Sequence, residues 1–130
     1  MKRIFLPISI LLLLMLAVSS IPTLVSSAQA ASETDLYQFQ GKVVFLRANE
    51  QGTGYGPPTD FIDVEAVIRL DAYPDNRFGL KLRDDAALPT HTAMFELLRE
   101  AVENNYTVII DVDIPPGKQN GTIIRVTVIK

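Results

Sequence analysis

Apolar and polar residues alternate along five segments of this chain, and a sixth segment carries its apolar residues at helical spacing. Alternation that includes aromatic and β-branched residues is typical of strands that bury one face. The five alternating segments are residues 37–46, 61–70, 77–83, 106–114 and 122–129. The sequence therefore predicts a mainly β domain with one helix.

The helical spacing lies between the third and fourth predicted strands. Apolar residues at i, i+3, i+4, i+7 and i+8 form one stripe on a helix over residues 90–104. These residues are Met94, Leu97, Leu98, Ala101 and Val102. Thr92 is a candidate N-cap, and Pro89 is expected to prevent an earlier start. Asn104 and Asn105 can adopt the left-handed conformation that ends a helix.

The order β-β-β-α-β-β predicts a five-stranded OB-like barrel over residues 37–130. A sheet with one apolar face leaves open edges unless it closes, and a single helix can cover one end of a small barrel. The alternative is a flat α+β sheet with the helix on one face. Asn120-Gly121 predicts a tight hairpin turn that joins the last two strands.

Residues 1–30 have the organisation of a secretory signal peptide. Lys2 and Arg3 precede an almost entirely apolar stretch over residues 4–18, and Ala28-Gln29-Ala30 offers a cleavage site. An uncut membrane anchor is the alternative. Cleavage would leave a secreted or periplasmic chain without a membrane span, beginning with a flexible arm at residues 31–36.

The charge of the chain disfavours nucleic acid as a partner. The whole sequence has 12 basic and 15 acidic residues, and without Lys2 and Arg3 ten basic residues face the 15 acidic ones, a formal charge of −5. Nucleic-acid binding depends on basic residues that neutralise phosphates. The chain has no cysteine, so no disulfide stabilises it.

No catalytic constellation is recognisable, and neither a cofactor nor a metal is expected. His91 is the only histidine and has no accompanying nucleophile motif. Two carboxylate pairs lie two residues apart on predicted strands, Asp63 with Glu65 and Asp111 with Asp113. Acid–base chemistry or calcium binding is one interpretation. A solvated outer face is the simpler interpretation, and we expect no enzyme activity.

Two loops rich in Gly and Pro give the best candidate for a binding site. In an OB fold the loop between strands one and two and the loop between strands four and five flank the binding face. Here these loops are residues 50–59 and 115–121. The predicted ligand-binding residues are Tyr55, Asp60, Lys118, Gln119 and Asn120. The alternative is that residues 50–59 only connect two strands.

Two sites match the N-glycosylation pattern, Asn105-Tyr106-Thr107 and Asn120-Gly121-Thr122. The pattern matters only in a eukaryotic secretory pathway.

Residues 78–82, 94–101 and 106–112 also suggest a family. Their order of strand, helix and β-rich strand resembles secreted bacterial OB-fold proteins, in particular the B subunits of pentameric toxins. The resemblance implies an OB barrel, ring assembly and glycan binding. The chain lacks the cysteine pair that many of those subunits carry, and none of their sugar-binding residues can be placed on it.

Taken together, these patterns predict an exported, non-enzymatic binding or interaction module whose ligand is a carbohydrate or a protein. A homo-oligomeric assembly protein of the cell envelope is the first alternative. Single-stranded nucleic-acid binding is the second, and the negative charge disfavours it.

Overall fold

The computed structural model describes residues 35–130, so the predicted signal peptide lies outside the described residues. The described chain is mainly β with one helix, as predicted. The elements are β1 (Asp35–Ala48), β2 (Ala66–Leu70), β3 (Phe78–Leu80), α1 (Leu88–Asn104), β4 (Thr107–Ile114) and β5 (Gly121–Ile129). This order is the predicted one. β1 includes Asp35 and Leu36, the last two residues of the segment predicted as a flexible arm.

The five strands close into a ring in the order β1-β2-β3-β5-β4, and β4 returns to β1. All neighbouring strands are antiparallel except β3 and β5, which run parallel. β1 serves two partners because it is long: Asp35 to Lys42 pair with β4, and Val43 to Ala48 pair with β2. The alternative of a flat α+β sheet with the helix on one face therefore does not occur.

The main core fills the inside of this ring. Alternate residues of the strands point inward, and in β4 the buried ones are Val108, Ile110, Val112 and Ile114. Helix α1 contributes Met94, Leu98 and Ala101 to the same cluster, so it packs on the interior core. Phe78 is fully buried there, and its ring lies 4.6 Å from that of Phe39.

A second, smaller core lies on the outer face of the ring. Val67 faces away from the main core and is fully buried, because Ile62 and Val64 pack on it together with Phe45 and Tyr55. Val64 also lies against Gly79 of β3, where a Cβ would meet its side chain at 2.5 Å. The segment that leads into β2 therefore covers the outer face of β2 and β3.

This covering segment corrects the predicted bounds of two strands. β2 was expected over residues 61–70 and β3 over 77–83, but each is shorter. The alternation of Phe61, Ile62, Asp63 and Val64 is real, since Ile62 and Val64 are buried and the other two are exposed. The alternation does not come from strand β2, because Ile62 pairs instead with Tyr55 in an isolated bridge. An alternating pattern does not reveal which partner a segment has.

The helix begins earlier than expected. Pro89 lies in its first turn, where its missing N–H leaves no hydrogen bond unmade, so it does not delay the start. Thr92 is inside the helix and is not the N-cap, which is Ala87. The predicted end is confirmed, because Asn105 is left-handed with φ of 55°. No helix within residues 35–130 is long and apolar enough to cross a membrane.

The predicted Asn120-Gly121 hairpin turn is wrong. The chain turns at Pro115 to Lys118, where the Lys118 N–H donates to the Pro115 carbonyl at 3.1 Å and Gly117 has φ of 77°. Gly121 lies in β5 instead, next to Val112 of β4. Pairing of β4 with β5 as antiparallel neighbours is confirmed.

Candidate functional site

The predicted loop at residues 115–121 meets Asp60 and Phe61, which directly follow the predicted loop at residues 50–59. We define this loop junction as Asp60, Phe61, Lys118, Gln119 and Asn120. Two tight turns bring them together. In one, the Asp60 N–H donates to the Pro57 carbonyl at 2.9 Å, and the other is the turn at residues 115–118. Since proline fixes φ, both turns present the residues that follow them in a restricted geometry.

Asp60 is the central acceptor of the loop junction. Its Oδ1 accepts hydrogen bonds from the backbone N–H groups of Gln119 at 3.1 Å and Asn120 at 3.0 Å. Hydrogen bonds to a charged acceptor are stronger than those between neutral groups. The carboxylate therefore fixes the loop between β4 and β5 against the segment before β2.

Asn120 connects this contact to Arg77, the residue before β3. Only 4% of the Asn120 surface is exposed. Its Nδ2 donates to the Asp60 carbonyl at 3.0 Å, and its Oδ1 accepts from the Arg77 N–H at 2.9 Å. Gly56 leaves room for this arrangement, because a Cβ at that position would meet the Asp60 carbonyl oxygen at 2.5 Å.

The predicted site residues consequently divide into two groups. Asp60 and Asn120 use their polar atoms to hold the loops together. Lys118 donates from Nζ to the Phe61 carbonyl at 3.1 Å, and as an ammonium group it has further donors. The exposed side chain of Gln119 makes no hydrogen bond within residues 35–130. Lys118 and Gln119 are thus the members with donors and acceptors to offer a ligand.

Tyr55 has a structural position that the sequence did not reveal. It is half-buried, packs on the second core, and exchanges two backbone hydrogen bonds with Ile62 at 2.8 and 2.9 Å. The Arg47 guanidinium lies 5.2 Å above its ring, a cation–π contact. The Tyr55 ring therefore supports the loop more than it offers a free face on which a ligand could stack.

The exposed aromatic residue at the loop junction is Phe61, which sequence analysis missed. Its ring lies over Gly54, where a Cβ would overlap it, and 38% of the residue is exposed. Assigning residues 61–70 to one strand hid it. The signal that could have found it is the alternation itself, because inward Ile62 and Val64 imply that Phe61 points outward.

The carboxylate pair Asp63 and Glu65 is solvated only at Asp63. Glu65 is 4% exposed, and its carboxylate accepts from the Leu82 N–H and from Arg83 Nε, both at 2.9 Å. Arg83 also contacts the Asp63 carboxylate at 2.5 Å. Its hydrogen bond lowers the pKa of Asp63, and the two carboxylates raise the pKa of Arg83. These three charged side chains hold the segment before β2 against the segment after β3.

In the second carboxylate pair, Asp111 has polar partners, whereas Oδ1 of Asp113 is buried and has no hydrogen-bond partner within residues 35–130. Asp111 accepts from Gln38 Nε2 at 2.9 Å and pairs with Arg125 at 3.0 Å. Within residues 35–130 no group of three or more His, Asp or Glu side chains could hold a metal ion.

A shallow depression elsewhere on the surface follows helix α1. Its lining residues all belong to that helix and are Ala93, Glu96, Leu97, Arg99, Glu100 and Glu103. Because one helix provides every wall, this is a groove between neighbouring side chains, remote in sequence from the loop junction.

Comparison of the chain with protein-family models, with curated proteins and with solved structures finds no match. The geometry of the loop junction is therefore the basis for any statement about function.

Proposed function

We propose that this protein is an exported, non-enzymatic binding module that binds a carbohydrate at the loop junction. The observation that carries the proposal is the Asp60 carboxylate, which holds the two loops through the N–H groups of Gln119 and Asn120. Phe61, Lys118 and the Gln119 side chain remain accessible beside it. The signal peptide predicted at residues 1–30 supports a secreted or periplasmic location.

The proposal includes an OB-like barrel as the fold. The strand order, the parallel contact of β3 with β5 and the position of α1 between β3 and β4 support it. In such barrels the loops that meet here flank the surface that binds oligosaccharides or oligonucleotides. The outer face of β2 and β3 is covered by the chain's own residues, so a ligand would contact the loops and not this part of the sheet.

The chemistry of the exposed groups suits a sugar. The apolar face of a pyranose ring can lie on the Phe61 ring, and its hydroxyl groups can bond to the amide of Gln119 and the ammonium of Lys118. Because the hydrogen bonds of Asp60 and Asn120 already order both loops, little conformational entropy is lost when a ligand binds.

Binding of the purified protein to a glycan array tests this proposal. We expect Phe61→Ala and Gln119→Ala each to weaken binding of a captured glycan by about tenfold, or about 1.4 kcal/mol. Val102→Ala is the matched control, because Val102 is an exposed apolar residue on α1 with 42% exposure. Absence of glycan binding, or binding that Phe61→Ala leaves unchanged, would contradict the proposal.

Tyr55→Ala tests whether the Tyr55 ring stacks on the ligand or only supports the loop. If Tyr55 acts as the structure suggests, this change lowers the melting temperature and weakens glycan binding together, whereas Phe61→Ala weakens binding with a smaller decrease in melting temperature. A Tyr55→Ala protein that keeps its stability but loses binding would place the ligand on Tyr55 instead.

Self-assembly is the second candidate function, and the helix favours it. Of the five residues in its apolar stripe, Leu97 and Val102 are 36% and 42% exposed. Light scattering over a range of protein concentrations tests it, with Leu97→Lys as the disrupting variant. A strict monomer at high concentration would reject this candidate.

A further inference from the structure

The dipeptide Asn120-Gly121 combines two residues that the fold needs at these positions. A Cβ on Gly121 would meet Val112 Cγ1 at 2.5 Å and the Asp113 carbonyl at 2.6 Å, so no larger residue fits. Asn120 must both donate to the Asp60 carbonyl and accept from the Arg77 N–H. Aspartate can accept but not donate when ionised, so it cannot replace asparagine here.

The same dipeptide is chemically labile wherever the chain is mobile. A glycine has no side chain to shield its nitrogen, so this nitrogen can reach the preceding side chain. The Gly121 nitrogen loses its proton and attacks Cγ of Asn120. The Cγ–Nδ2 bond then breaks, and ammonia leaves with that proton. Water opens the resulting five-membered imide at either carbonyl and gives aspartate or isoaspartate.

We propose that Asn120-Gly121 is a latent deamidation site, which the loop junction protects and whose conversion destroys the loop junction. This inference does not depend on the proposed function. It concerns a covalent change that the intact fold slows and local opening permits.

Three contacts oppose the reaction in the folded protein. The Gly121 N–H donates to the Arg77 carbonyl at 3.2 Å, which holds the proton that must leave. Both polar atoms of the Asn120 side chain are bonded, so Cγ cannot swing toward the nitrogen. Burial of Asn120, with 4% exposure, limits access of the water that completes the reaction.

The products cannot rebuild the contacts. Aspartate at position 120 would set a carboxylate oxygen against the Asp60 carbonyl oxygen in place of the Nδ2 donor. Isoaspartate would add a methylene to the main chain and displace Gly121 from its place opposite Phe78. The contacts that protected the dipeptide are then lost.

Peptide mapping by mass spectrometry measures deamidation at Asn120 directly. The reference is a synthetic peptide that spans residues 118–122, incubated in the same slightly alkaline buffer. We expect the folded protein to react more than about tenfold slower than the peptide, since reaction requires the junction hydrogen bonds to open. The protein in concentrated urea should react at the rate of the peptide.

Asp60→Ala tests whether the protection is local. This change removes the acceptor of two junction hydrogen bonds, so deamidation should accelerate severalfold. Asp60→Asn is the conservative control, because its Oδ1 still accepts, and it should stay close to the wild-type rate. Leu98→Ala in the main core is the second control. Its deamidation rate is compared with that of Asp60→Ala at a temperature where these two variants have the same free energy of unfolding.

The outcomes separate clearly. Faster reaction of Asp60→Ala than of Leu98→Ala at equal stability supports local protection by the loop junction. Equal rates in these two variants would overturn it and assign protection to global folding. Reaction of the folded wild type at the rate of the peptide would overturn the proposal altogether, and so would an Asn120→Asp variant as stable as the wild type.

Discussion

Gly79 shows how one missing methyl group lets two layers of the chain pack together. The Val64 side chain occupies the space where a Cβ of residue 79 would lie, at 2.5 Å from its two γ carbons. Both residues are buried, so neither can move into solvent. The glycine is needed for close approach, since its backbone conformation is not among those with positive φ.

Gly79→Ala should therefore destabilise the protein by about 1–3 kcal/mol through overpacking. Urea unfolding measures the change. In a Val64→Ala background the same substitution should cost less, because the methyl groups that it meets are absent. Equal costs in the two backgrounds would show that Gly79 and Val64 are not coupled.

Asp63 is the residue whose ionisation should affect stability with pH. The hydrogen bond from Arg83 lowers its pKa below the ordinary value of 3.8, and charge attraction from Arg83 and Lys81 acts in the same direction. Since the folded pKa is lower than the unfolded one, the carboxylate contributes its stability above the unfolded pKa. That contribution is lost as the pH falls through the folded pKa.

We therefore expect the urea midpoint of the wild type to decline between the ordinary pKa of Asp63 and the lower pKa it has in the folded protein. Asp63→Asn should lose part of this decline and be less stable than the wild type at neutral pH. An Asp63→Asn protein with the wild-type pH profile would contradict the assignment. Asp75→Asn is the matched control, because Asp75 is an exposed carboxylate in a turn.

Helix α1 shows what the spacing of residues predicts about an element and what it does not. The apolar stripe located the helix, and the Asn pair located its end. The stripe did not reveal that Leu97 and Val102 stay exposed, because the core takes only Met94, Leu98 and Ala101 from this face of the helix. The helix begins before the predicted start, because its first turn tolerates proline and Pro89 is therefore no barrier.

The left-handed cap at Asn105 permits a test at the scale of the element. The Tyr106 N–H donates to the Ala101 carbonyl at 3.0 Å and closes the last turn. Asn105→Ala should cost about 1 kcal/mol, because alanine is unfavourable in this conformation, whereas Asn105→Gly should cost little. Thermal unfolding measures both. Equal destabilisation by Ala and Gly would mean that the Asn side chain, and not the backbone conformation, matters.

For the whole molecule, sequence patterning predicted the order of the elements and the pairing of β4 with β5. It could not predict the second core, because residues 61–65 alternate in the same way whether they join the sheet or cover it. It placed Asp60, Lys118, Gln119 and Asn120 near one another, which the structure shows. It could not assign their roles, since the same amide and carboxylate can hold a ligand or another loop.

The ring should be unequally stable around its circumference. β4 pairs with β1 and β5 over most of its length, while β3 and β5 share two residue pairs, Phe78 with Gly121 and Gly79 with Thr122. Native-state hydrogen exchange should therefore show the slowest amides in β4 and faster ones along the contact of β3 with β5. Equal protection in the two places would contradict this expectation.

The two residue pairs between β3 and β5 also determine when the ring can close, because β5 follows every other described strand in the sequence. They join segments more than forty residues apart, because Arg77 and Asn120 beside them are separated by 43 positions. Contacts of such long range form slowly. β5 follows the other described strands, so a growing chain holds β1 to β4 and α1 without a closed ring until β5 has been synthesised. This delay agrees with the proposed export, because a chain that crosses a membrane through a narrow channel must still be unfolded when it reaches that channel.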